Sequence, residues 1–347
     1  MQIIEKYANV FSFYRAKHSL IIIIRDEAKK EQDAYILGSG KKLRTKSLWH
    51  FGDYVYDMRT DKFLVYDDEF NHLFDLNKKG INAGNSSIDY IDEKILILGQ
   101  SVLSDDDTST SFLTYYENLE EKATVEFCGK VLNKKYRLNL KKEEQFSYPT
   151  YFRLSNILDT KTYFEFKCEK GYELLTTFYI WNDSLFFMYY KEAELILEQR
   201  ALETGKTIWK THIQNGTFCF DKESGIMASV WGKSGMYDDS TDLYQIINLN
   251  SQTVEIGSPL KDFKFTQVES QMGTFLYEDK LYFSDNPFSY AGKEPNAPLV
   301  GCFNIKTKKI DFMQKIPEMA GSTIAEIIYN DKLFVRSSNG DLIVYEI

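Results

Sequence analysis

The sequence predicts an all-β protein: a single β-propeller over residues 1–347, built of seven or eight four-stranded antiparallel blades, with the repeat count favouring eight. Three observations carry this. A polar, often Asp-Lys-like step followed by a short β-type run recurs eight times, at intervals of 32 to 55 residues. The hydrophobic fraction of 43% is unusually aromatic, with 25 Phe and 24 Tyr against 6 Pro, a mix that suits pleated, half-buried surfaces. No window sustains an apolar i, i+3, i+4, i+7 pattern, so helix is confined to short loop pieces. Strands repeating at this period without helices are what propeller blades require.

In chain order the runs open at His18-Ser19-Leu20-Ile21-Ile22-Ile23, Asp61-Lys62-Phe63-Leu64-Val65-Tyr66, Glu93-Lys94-Ile95-Leu96-Ile97-Leu98 and Lys134-Lys135-Tyr136-Arg137-Leu138. They continue at Asn182-Asp183-Ser184-Leu185-Phe186-Phe187, Ser224-Gly225-Ile226-Met227, Asp279-Lys280-Leu281-Tyr282-Phe283 and Asp331-Lys332-Leu333-Phe334-Val335. Anchored at residues 19, 62, 94, 135, 184, 225, 280 and 332, they are spaced 43, 32, 41, 49, 41, 55 and 52 apart. The fourth repeat is the weakest, because no convincing inner strand stands between Phe127 and Lys134; without it, seven larger blades remain.

After each anchor run comes a variable loop and then a further strand leading into a turn, as in His72–Asn77 and Leu243–Asn250. Several turns share one chemistry: Leu202-Glu203-Thr204-Gly205-Lys206, Leu158-Asp159-Thr160-Lys161-Thr162 and Ile305-Lys306-Thr307-Lys308-Lys309. A polar residue, Thr, then Gly or Lys between two β runs makes a tight hairpin. An outermost strand follows, as in Thr207–Lys210 and Ile310–Met313, and Trp209 is expected there, covering the gap between neighbouring blades. The last repeat ends at Leu342–Ile347, after only three of its four strands. Gln2–Tyr7 precedes the first blade and is free to supply the fourth, which would pair the two terminal segments and remove an exposed edge.

The stretch Leu202-Glu203-Thr204-Gly205-Lys206-Thr207-Ile208-Trp209, with the Asp-x-x-Leu-aromatic steps, resembles a blade of the quinoprotein-like propellers and, more loosely, of the WD-repeat propellers. As a repeat pattern the resemblance covers nearly the whole chain, and its best copy is one blade. It implies the fold and no activity. The Trp-Asp dipeptide of WD repeats is absent. Quinoprotein dehydrogenases use calcium and a quinone; this chain shows no export signal and no paired cysteines, so no cofactor is expected.

The net charge of −9 disfavours non-specific nucleic-acid binding, for which a basic face is expected. A basic protein partner matches the sign, and so does plain solubility. Met1–Tyr14 has no basic n-region, apolar core or small-residue cleavage site, and the run Leu20–Ile24 is far too short to span a membrane. Cys128, Cys168, Cys219 and Cys302 are scattered, as reduced thiols are, and the expected location is cytoplasmic.

No nucleophile elbow, phosphate loop, His-Glu-x-x-His or Cys-x-x-Cys motif occurs. The four His (His18, His50, His72, His212) fall in different repeats near strands, as structural His do, and no catalytic, metal or cofactor residue is assigned. The suggestive segments are the long loops expected between second and third strands: Asp26–Asp33, Ser104–Ser111, Gly232–Asp242 and Ser284–Pro298. They carry acids (Asp105, Asp106, Asp107, Asp238, Asp239, Asp242) and aromatics (Tyr237, Phe288, Tyr290), a composition that fits a protein interface, with aromatics as anchors and acids as steering charges. Ordinary solvated loops are the alternative; a calcium loop lacks its Asp-x-Asp-x-Asp-Gly spacing. The expected function is a non-enzymatic protein-binding propeller, in its sharper form an immunity-type inhibitor of a cognate bacterial toxin. The alternatives are a scaffold subunit of a larger assembly and a carbohydrate-active enzyme with carboxylates in its funnel.

Overall fold

The computed structural model describes residues 2–26, 28–46, 48–59, 62–76, 86–103, 109–127, 129–142, 148–158, 161–191, 194–214, 218–231, 243–258, 268–269, 275–285, 299–316, 323–337 and 339–346. Their strands form eight antiparallel sheets, and the fold is an eight-bladed β-propeller. Blade 1 comprises Val10–Arg15, Leu20–Asp26, Glu31–Ile36 and Lys42–Thr45; blade 2, Leu48–Phe51, Tyr54–Arg59, Lys62–Tyr66 and His72–Leu76. Blade 3 comprises Ser86–Ile91, Ile95–Leu103, Ser109–Glu117 and Glu120–Glu126; blade 4, Gly129–Val131, Tyr136–Lys142, Pro149–Asn156 and Thr162–Lys167. Blade 5 comprises Glu173–Trp181, Ser184–Lys191, Glu194–Ala201 and Thr207–Ile213; blade 6, Cys219–Asp221, Ile226–Trp231, Leu243–Asn248 and Thr253–Gly257. In blade 7, Val268–Glu269 and Phe275–Tyr277 both pair Lys280–Asp285, followed by Leu299–Asn304 and Lys309–Lys315. Blade 8 comprises Thr323–Tyr329, Lys332–Ser337, Leu342–Glu346 and, as its outer strand, Gln2–Tyr7.

Three expectations change. The anchor runs are second strands in seven blades, but Lys62–Tyr66 is the third strand of blade 2. Its true counterpart is Tyr54–Arg59, after the turn at Gly52-Asp53, which makes the first two intervals 34 and 41 when Asp53 is the anchor. The error arose because the turn into the third strand is as polar as the turn into the second. His72–Leu76 is accordingly the outer strand of blade 2, not an intermediate one. The inner strand of blade 4 exists after all, as Gly129–Val131. It begins at Gly129, whose backbone lies against the Leu138 carbonyl, a place with no room for a Cβ. Asp26–Asp33 is not a long loop: Asp26 ends the second strand of blade 1 and Glu31 begins the third, on which Asp33 is held by Arg44 at 2.7 Å and Lys42 at 2.8 Å.

The chain packs as two compact units, Met1–Arg15 with Leu20–Glu27 and Gln214–Ile347, and Ala16–Ser19 with Ala28–Ile213. In the first, the terminal segments pair as expected: Gln2 faces Glu346 and Tyr7 faces Leu342, with a register shift between Ile3 and Glu5. The core under that sheet includes Leu333, Val335, Ile343 and Tyr345, with Ile3 of the terminal strand packed on it. Nearby, Val10 N–H donates to the Gly340 carbonyl (2.9 Å) and Arg336 Nε to the Val10 carbonyl (2.6 Å), tying blade 1's first strand to blade 8.

The second unit is held by an aromatic layer between blades 4 and 5. The ring of Phe152 meets Phe164, Phe178 and Phe187 edge-on at 5.0–5.9 Å. Burying each such side chain contributes about 1.5–3 kcal/mol. The Leu202–Lys206 turn contributes Leu202, 3% exposed, to this layer. Trp209 is on the outer strand as expected but only half-buried, so Leu202 rather than Trp209 joins the two blades. Between blades 3 and 4 a second layer holds Ile97, Leu113, Tyr115, Phe127, Val131 and Ile157.

Candidate functional site: a polar cavity at one end of blade 3

The apolar layer between blades 3 and 4 turns polar towards one end of blade 3. On the second strand, the face that presents Ile97 to the core presents Gly99 and then Ser101. On the third, Ser111 precedes Leu113 on the same face. The result is a cavity of about 400 Å³, lined by Ser86, Ser87, Asp89, Gln100, Ser111 and Phe112, among others. Phe127 and Gly129, on the crossover to blade 4, close its far side. Gln100 Nε2 reaches Ser86 Oγ at 3.5 Å, and Ser101 and Ser111 hydroxyls lie 3.4 Å apart across the strand pair.

Asp89 enters this cavity because of a bulge. Ser87 faces Gly99 and Ile88 faces Leu98, but the next pair is Tyr90 with Ile97, which leaves Asp89 as the extra residue. A bulge of this kind re-aims a side chain. Here it lays the carboxylate over Gly99, where any Cβ would run into Asp89 Oδ2 and Ser87 Oγ. Among the described residues Asp89 has no hydrogen-bond or ion-pair partner, and burial alone pushes its carboxyl up to about 6. The lysine on the neighbouring first strand, Lys130, instead donates to the Thr176 carbonyl at 3.5 Å. Just beyond, Val102 is 52% exposed, an apolar side chain at the rim.

A second cavity, about 250 Å³ between blades 4 and 5, makes the contrast. Its carboxylate, Glu198, is 2% exposed and fully engaged: Tyr189 OH donates at 2.8 Å, Arg200 Nε at 2.6 Å and Thr207 Oγ1 at 2.9 Å. The Arg200 guanidinium in turn sits 4.7 Å from the Phe166 ring centre. That is a satisfied clamp between blades. Burial pushes the thiols of Cys168 and Cys219 up to about 12 and that of Cys302 to about 11, far from the thiolate form at neutral pH. Among the described residues no group of three or more His, Cys, Asp or Glu could hold a metal ion. His18 donates its backbone N–H to Asp68 Oδ2 at 2.7 Å, His72 packs on Tyr66, and His50 and His212 lie on strands of blades 2 and 5.

The candidate interface residues Asp105, Asp106, Asp107, Tyr237, Asp238, Asp239, Asp242, Phe288 and Tyr290 all lie outside the described residues. The strands flanking them are nevertheless second and third strands, of blades 3, 6 and 7, as the sequence reading required. The cavity lies towards the end of blade 3 where Ile95–Leu103 stops and Ser109–Glu117 starts. Asp89 itself was missed in the sequence. The available signal was Gly99, an isolated glycine inside an apolar strand run, which marks a bulge or a close approach.

No family model matches the chain, and no curated protein matches it in sequence. Among solved structures, BamB from Moraxella catarrhalis is similar at 10% identity, covering 100% of this chain and 99% of its own, with a TM-score of 0.54. The uncharacterized protein lmo1340 from Listeria monocytogenes EGD-e is similar at 10% identity over 89% of this chain and 96% of its own, also with a TM-score of 0.54. At such identity the likeness is one of fold. The chain has the propeller architecture that the repeat pattern indicated.

Proposed function

We propose that this chain is a non-catalytic binding protein that grips a basic protein partner at the strand-two to strand-three end of blade 3, and that it serves as an immunity-type inhibitor of a toxin. The observation that carries the reading is the Asp89 carboxylate, without a partner among the described residues, in a polar cavity near exposed Val102; in sequence the Asp105-Asp106-Asp107 stretch follows two residues after Leu103. A recessed charge, an apolar contact and a run of like charges supply anchoring and steering together. The net charge of −9 favours a basic partner over an acidic one. The toxin reading rests on the absence of recognisable catalytic motifs in the sequence and on that charge sign.

The test has two parts. Partners are recovered from the native host, and association kinetics are measured for wild type and the Asp105→Asn, Asp106→Asn, Asp107→Asn triple variant at two salt concentrations. Removing steering charges should slow association and flatten its salt dependence. The purified partner is then expressed alone and with this chain. Growth arrest by the partner alone, relieved by the chain, supports the inhibitor reading; a harmless partner, or several partners at similar stoichiometry, refutes it in favour of a scaffold.

A further inference from the structure

The blade 3 cavity combines three properties that rarely coexist without a ligand. It has room, a charged acceptor lacking a counter-charge among the described residues, and a ring of hydroxyl and amide groups. We propose that it binds an alkylammonium or guanidinium group, with Asp89 as the ionic acceptor and the hydroxyls of Ser87, Ser101 and Ser111 completing its hydrogen bonds.

The chemistry of the lining selects this class. A half-buried carboxylate without a donor is costly, and the group that removes the cost must bring positive charge and several N–H donors while needing no acceptor role of its own. An ammonium offers three such donors and a guanidinium five. Serine hydroxyls can turn their lone pairs towards either. An anionic ligand would face Asp89 directly and find no cation among the described lining residues. A hard metal ion such as calcium takes about 6–8 oxygen ligands, usually with more than one carboxylate, and Asp89 is the only carboxylate among the described residues lining the cavity. Phe112 and Phe127 supply aromatic surface against which an alkyl stem or a guanidinium plane can lie. The volume, about 400 Å³, sits near the lower end of small-ligand pockets. Gly99 is the enabling residue: its missing side chain is the space in which Asp89 Oδ2 and Ser87 Oγ stand.

The cation has two possible sources, a free amine or a lysine or arginine side chain of a protein. The second rests on the partner-binding reading above. Butylammonium, butylguanidinium and, as a neutral control, 1-butanol are titrated into wild type, Asp89→Asn and Gly99→Ala, followed by NMR shift changes. Both cations should bind wild type saturably at roughly 1–10 mM, as expected for so small a ligand. Butanol should bind at least about tenfold more weakly. Asp89→Asn should lose at least about tenfold for the cations. Gly99→Ala, which keeps the charge but fills the space, should lose as much with an unchanged circular-dichroism spectrum. No saturable cation binding, equal binding of butanol, or undiminished binding by Asp89→Asn each overturns the proposal. The partner is then assayed against the same variants. Cation binding lost in Asp89→Asn together with partner affinity identifies a side chain as the source; cation binding lost with partner affinity intact identifies a free amine and leaves the partner's surface elsewhere. Partner affinity lost when no free cation binds overturns the cavity chemistry and leaves the partner reading standing.

Discussion

Replacing Asp89 by Asn should make the protein more stable at neutral pH, the opposite of what removing a charged residue from a paired site does. Burial raises the carboxyl from 3.8 to about 6, so the folded state holds a proton that the unfolded state has already released. Between those values stability falls as pH rises, and above about pH 6 the full penalty is present. Two units correspond to about 3 kcal/mol; because Asp89 is only half-buried, solvent screening trims the expected gain to roughly 1–2 kcal/mol. For a chain of 347 residues, with an unfolding entropy of about 2 cal/mol/K per residue, that is a rise of roughly 1–3 °C in melting temperature. Thermal melts of both proteins at pH 7.5 and pH 4.5 measure it. The variant should lead at pH 7.5, and at pH 4.5, where Asp89 is protonated in the fold and still partly ionised in the unfolded chain, the gap should shrink to about a third. A destabilised variant at pH 7.5 would show that the carboxylate is paired, and the account of the cavity would be wrong.

Deleting residues 2–8 should lower the melting temperature markedly, since it strips the outer strand from blade 8 and Ile3 from its core; an unchanged melt would refute the terminal pairing. Glu198→Ala should cost about 3 kcal/mol by chemical denaturation, because it leaves Arg200 uncompensated between blades, while binding at blade 3 stays as in wild type. Leu202→Ala should cost about 2–5 kcal/mol and Trp209→Ala only about 1 kcal/mol, a ranking that denaturant titration of the pair reverses if the indole is the true inter-blade plug.

The architecture was legible because propeller blades write their boundaries in short-range chemistry. The Leu202–Lys206, Leu158–Thr162 and Ile305–Lys309 turns each join a third to a fourth strand, as their shared composition indicated. The terminal pairing followed from counting three strands in the last repeat. What misled was a feature local chemistry does not distinguish: the Asp61-Lys62 step has the composition of a first hairpin, yet Lys62–Tyr66 is a third strand. The inner strand of blade 4 was hidden because three residues with a leading glycine carry almost no β signal. The site was less legible still. In a strand, an Asp between Ile88 and Tyr90 reads as solvent-facing by alternation, and only the register slip against Leu98 and Ile97 turns it inwards. Register is a property of two strands together, so it is not written in either one.

The pairing of Gln2–Tyr7 with Leu342–Glu346 sets a schedule for biosynthesis. Gln2–Tyr7 finds its place late, since its partner Leu342–Glu346 emerges some 340 residues after it. At bacterial-to-eukaryotic elongation rates of about 5–20 residues per second that is roughly 20–70 s of waiting. Throughout it Gln2–Tyr7 is an unsatisfied β segment, open to pairing with the wrong chain. Glu5 and Lys6, adjacent charges in the middle of an otherwise sticky hexapeptide, act as gatekeepers for that interval. Neutralising both should show itself first as aggregation during expression, before any change in the melting curve of the protein that folds.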